Sequence, residues 1–150
     1  SSRFWQSIGE IVLLVTVFIA VTLLLNVLFE WHVQAQWFSK YTHRPEGELA
    51  FAIWMVLLFF ALAVLEELFY RGILLRWLAW KASGWRYRLE FSVLCSAAIF
   101  CLGHGPIITL PQFVQKMTIG LGLGWLSLRR GLWAAIVAHC AFNLIINCLL

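Results

Sequence analysis

Two adjacent carboxylates, Glu66 and Glu67, stand in an otherwise apolar stretch with Tyr70 and Arg71 close behind; His104, His139 and Asn143 lie in two further apolar stretches. A carboxylate, two imidazoles and a carboxamide are the groups that activate water, carry a proton and donate to a developing oxyanion, so the chemistry this set suits is hydrolysis. On a helix adjacent side chains point about 100° apart, whereas residues four apart share a face. Glu67 and Arg71 are therefore predicted to pair. Glu66 has Tyr70 at the same spacing, a hydroxyl that can orient a carboxylate without neutralising it, and Glu66 is left available as a base. His139 and Asn143 are likewise one turn apart, with Asn147 a further turn along.

Such residues must be held by something, and composition says what. Of 150 residues, 63% are hydrophobic and 12% charged, against roughly 45–50% and 25% in soluble domains. Mean hydropathy is +0.88. A water-soluble globule of this size would leave too much apolar surface exposed, so the surface is expected to meet lipid. The fold class expected is all-α, a polytopic bundle of about five membrane-spanning helices forming one integral membrane domain over residues 1–150. The spans are Ile11 to Phe29, Leu49 through Leu65, Phe91 to about Gly103, Gln112 to Leu128, and Leu132 onward. The second is expected to run on as helix to about Lys81, with Gly84 as the stop, which sinks Glu66 to mid-membrane and level with His104. Arg3, the segment Arg71 to Arg88 and Arg129-Arg130 then fall on one side, and Lys40, Arg44 and Lys116 toward the other. By the positive-inside rule the N-terminus is cytoplasmic. Trp5, Trp77, Trp80, Trp85 and Trp133 form one interfacial belt; Trp31, Trp37 and Trp54 form the other. No signal peptide is read at the N-terminus, where no initiator Met precedes Ser1, and a bacterial inner membrane is the expected location.

An ionisable side chain at a helix centre costs at least about 2.5–3.5 kcal/mol in lipid, so intramembrane acids and imidazoles face a cavity or a partner. Other signals are weaker. The net charge of +4 is spread thinly, with no basic run to suggest a nucleic-acid partner. Cys95, Cys101, Cys140 and Cys148 lack metal or bridge spacing and read as small apolar residues. Gly120 and Gly124 form GxxxG, a close-packing motif, rather than a phosphate cradle. Thr16, Thr22 and Asn26 read as interhelical glue, and His32 and His43 as solvated loop residues. Ser92, Ser96 and Ser127 have no evident paired base, which disfavours a serine nucleophile. No cofactor is expected. The rival in the same chemistry is a zinc site built from the two histidines and the glutamate, although HExxH is missing. From another class come a peptide-binding or immunity protein that does not cleave, and a proton relay.

Glu66-Glu67-Leu-Phe-Tyr-Arg71 resembles an EExxxR motif, Phe100-Cys-Leu-Gly-His104 an FxxxH motif, and His139-Cys-Ala-Phe-Asn143 an HxxxN motif. In this order on separate apolar spans, they resemble the signatures of the CPBP family, the CAAX protease and bacteriocin-processing (Abi) membrane proteins, over roughly residues 50 to 147. The resemblance implies an intramembrane endopeptidase of the glutamic type, similar to the Ras-converting CAAX endopeptidase, acting on a membrane-anchored peptide or protein. It implies that Glu66 and His104 activate water, that His139 and Asn143 stabilise the oxyanion, and that Glu67 and Arg71 are structural. The first 49 residues, with one extra span, fall outside it.

Overall fold

The computed structural model describes residues 2–29, 48–105 and 109–149, and all of its regular elements are helical. Helix α1 spans Ser2–Phe29 and α2 spans Glu48–Glu67; a π-helical turn, Leu68–Leu74, joins α2 directly to α3, Leu75–Lys81. Helix α4 covers Arg88–Leu102, α5 Leu110–Arg130 and α6 Leu132–Leu149. The predicted continuation of the second span to Lys81 is thus observed. Within it lies the π turn, which the sequence reading took as ordinary helix. The loop residues Trp31, His32, Trp37, Lys40, His43 and Arg44 lie outside the described residues.

Local chemistry sets several of these boundaries. Thr109 caps α5 in a reciprocal box with Gln112, and Pro111 follows in the first turn, where its missing N–H costs nothing. Between α5 and α6 only Gly131 intervenes, at φ 92°, a left-handed conformation suited to glycine. One residue therefore reverses the chain, and α5 and α6 pack as antiparallel neighbours.

Helix α5 is the central rod, in contact with α1, α4, α6 and the π turn, while α2 packs on α6. The core joins Ile11, Val15 and Phe18 of α1 to Phe100 of α4, Ile119, Leu123 and Leu126 of α5, and Ala134, Ala135, Ala138, Phe142 and Ile146 of α6. Phe18 meets Phe142 edge to face at 5.7 Å between centroids. Outside this core the distribution is inverted relative to a soluble protein. Glu67, Arg71, Thr22, Gln115 and His139 are buried, whereas Ile53, Leu57, Phe60, Leu65, Ile73 and Trp80 face outward. Two rods, Arg3–Phe29 and Ile53–Lys81, are long and apolar enough to cross a bilayer, and Leu132–Ile146 is a shorter apolar helix. The chain is an all-α integral membrane protein.

Candidate active site

The π turn opens immediately after Glu67. Its wide hydrogen-bond ring, closed by the Leu75 N–H on the Tyr70 carbonyl, leaves that carbonyl able to accept a second bond, from Ser96 Oγ at 2.8 Å. This bond ties the turn to α4. The Ser92 hydroxyl is likewise spent on the Arg88 carbonyl.

Glu67 and Arg71 are fully buried and joined by the predicted pair, Nη1 to Oε1 at 2.7 Å. Arg71 also donates from Nη2 to the Gly120 carbonyl of α5 at 3.3 Å. The sequence reading did not foresee the third member, His139, whose Nδ1 lies 2.8 Å from the same Glu67 oxygen. One carboxylate thus fixes an arginine from its own rod and an imidazole from α6. With the Glu67 carboxylate facing Nδ1, Nε2 is turned to the far side of the ring.

There it meets Glu66. His139 Nε2 is 3.6 Å from Glu66 Oε2, and His104 Nε2 is 4.0 Å from Glu66 Oε1. His104 is oriented in the same sense, its Nδ1 facing the Phe100 carbonyl at 2.7 Å. Both gaps exceed a direct hydrogen bond and suit a small bridging molecule. Glu66 and His104 keep 31% and 26% side-chain exposure, His139 only 5%, so the site opens on the glutamate side. Asn143 is half-buried one turn beyond His139 on α6; Asn147 shares that helix, its side chain outside the described residues.

Phe100 organises the site. Its ring lies edge-on to His104 at 4.5 Å and to Tyr70 at 5.1 Å, approaches His139 at 6.1 Å, and receives the Arg71 guanidinium at 4.6 Å. Tyr70 departs from expectation. No hydrogen bond joins it to Glu66 among the described residues; its hydroxyl lies instead where a Cβ on Gly103 would stand. Glycine beside His104 is what makes room for it.

Lys116, expected from sequence only as a charge toward the far membrane face, lies beside the site. It is half-buried and interacts electrostatically with both Glu66 and His104. The signal that could have exposed it was its place four residues before Gly120 on the close-packing face. Cys95, Cys101 and Cys140 are unbridged. Among the described residues no three His, Cys, Asp or Glu side chains stand in a metal-holding arrangement.

An acid and two imidazoles thus converge from three rods of a helical membrane protein. Residues 48–145 match the family described as Type II CAAX prenyl endopeptidase Rce1-like, and the chain belongs to that family of membrane proteases. Among curated proteins and solved structures, none matches. The matched segment runs from the start of α2 to near the end of α6 and holds Glu66, Glu67, Tyr70, Arg71, His104, Lys116, His139 and Asn143; α1 precedes it.

Proposed function

We propose that this chain is an intramembrane endopeptidase of the glutamic type, cutting a peptide bond in the C-terminal tail of a membrane-anchored, prenylated protein. The observation that carries the reading is the Glu66 carboxylate set between the two Nε2 atoms at 3.6 and 4.0 Å. A water in that gap gives one proton to Glu66 as its oxygen attacks the scissile carbonyl. His139, its ring fixed through Nδ1 by Glu67, is assigned to stabilise the oxyanion from its Nε2 side. Asn143, one turn away, supplies a neutral donor. Collapse of the tetrahedral centre breaks the C–N bond, and the proton on Glu66 passes to the departing amine. His104, fixed by the Phe100 carbonyl, orients the water and assists this return. Arg71 neutralises Glu67, so that Glu66 acts as the base beside an electrically balanced pair.

The basic ends of α1, α3 and α5 support a cytoplasmic N-terminus, since Glu10 near the start of α1 binds Arg130 at the end of α5 at 2.6 Å. A bacterial inner membrane is the proposed setting. The test is cleavage of a prenylated peptide in liposomes, read by mass spectrometry. Glu66→Gln, His104→Ala and His139→Ala are each expected to lower turnover by about 10²–10⁴-fold, with the helical circular dichroism intact. Full activity in Glu66→Gln overturns the reading, and tight binding of the peptide with no fragment from the wild type favours a non-cleaving binding protein.

A further inference from the structure

Lys116 has a position that the proposed water chemistry does not use. Its placement follows from the register of α4 against α5. A Cβ on Gly124 would meet the Val93 side chain at 3.1 Å, and one on Gly120 would meet Ala97 Cβ at 2.9 Å. These contacts step four residues along α5 for four in the opposite sense along α4, the signature of an antiparallel pair packed face to face. The next step sets Lys116 opposite Cys101, one turn short of His104. Two contacts bracket it independently: Cys101 Sγ approaches the Phe113 carbonyl at 3.9 Å, and Arg71 reaches the Gly120 carbonyl at 3.3 Å. Residues 113, 116 and 120 share one stripe of α5. Lys116 thus sits on the seam leading into the site, within electrostatic reach of Glu66 and His104.

Among the described residues no carboxylate lies within ion-pair distance of its ammonium, and no hydrogen bond to it is formed. Arg71 is engaged by Glu67; Lys116 is the cation of this cluster whose three donors remain open. A half-buried ammonium in a membrane protein is costly and is held where an anion comes to it. Resting on the peptidase reading, we propose that Lys116 is a specificity-determining residue that binds the free C-terminal carboxylate of the peptide, so that the enzyme measures its cut from the chain end. The lysine stem spans about one helical turn, and a peptide of two to three extended residues covers about 7–10 Å, which matches an anchor beside, rather than at, the reacting carbonyl.

The test is a cycle with two substrates and two residues. One prenylated peptide is prepared as the free acid and as the C-terminal carboxamide, and kcat/KM is measured in liposomes for the wild type, Lys116→Met and Lys116→Arg. The wild type is expected to favour the acid by about 10–100-fold, the range of a charge-assisted hydrogen bond, mainly through KM. The ratio should fall to near one in Lys116→Met and survive largely in Lys116→Arg. A ratio near one in the wild type, or one unchanged in Lys116→Met because both substrates slow equally, overturns the assignment while leaving the peptidase intact. Should Lys116→Met fail to fold, Lys116→Gln and the wild-type ratio decide in the same way. A wild type that cuts neither peptide removes the peptidase reading, and the anchor with it.

Discussion

Glu67 Oε1 accepts from Arg71 at 2.7 Å and from His139 Nδ1 at 2.8 Å, so one buried atom carries both the local fold and the orientation of an imidazole. The two duties can be separated. Glu67→Ala strands a buried guanidinium and is expected to cost about 3–5 kcal/mol, read as a lowered melting temperature in detergent. Replacing both partners, Glu67→Leu with Arg71→Met, should recover most of that stability, since an apolar pair of similar volume avoids the desolvation cost. Turnover should stay low, because His139 still lacks its acceptor; recovery of both together would show that Glu67 serves the fold alone. The Glu67–Arg71 pair was legible because helical spacing is local. The bond to His139 was not, since 72 residues separate them and only the packing of α6 on the α2 rod closes the distance. The role of Phe100 was hidden likewise, because an aromatic ring in an apolar span gives no sign of which groups it touches.

Helix α5 separates its neighbours by alternating its glycines. Gly120 and Gly124 face α4, whereas a Cβ on Gly122 would lie 2.7 Å from Leu14 and Phe18 of α1. Small residues on both sides let the central rod sit between two others at short range, where packing rather than the hydrophobic effect holds membrane helices together. Gly120→Val would push α4 away at Ala97 and is expected to destabilise by about 1–3 kcal/mol, with a larger loss of activity because Arg71 uses the Gly120 carbonyl. Ala97→Gly should restore part of the stability; no restoration would mean that the α4–α5 contact is not the source of the loss. GxxxG spacing made one of these faces readable from sequence. The π turn was not readable, because its i to i+5 bonding is fixed by tertiary partners such as Ser96 rather than by the residues within it.

At the scale of the molecule, α1 lies outside the family match yet is built into the core. Glu10 binds both Arg129, at 3.2 Å, and Arg130, at 2.6 Å, and toward the other end of α1 Gln115 donates to Thr22 at 2.9 Å in a buried contact. Thr22→Val leaves the Gln115 amide without its acceptor and should cost about 1–2 kcal/mol. A melting temperature unchanged in detergent would mean that α1 is only loosely attached. Composition disclosed the membrane class because polar and apolar totals need no geometry; it was silent on whether the first rod joins the bundle, because Thr22 looks the same facing lipid or glutamine. A last consequence follows from the unbroken Ile53–Lys81 rod, 29 residues long. Its basic end, with Arg76, Trp80 and Lys81, fits among headgroups, which sets Glu66 roughly 15–22 Å deeper at about 1.5 Å per residue. If the proposed peptidase function holds, depth becomes a sieve: a tail towed down by a lipid anchor is expected to reach the acid, and the same sequence without an anchor is expected to stay uncut.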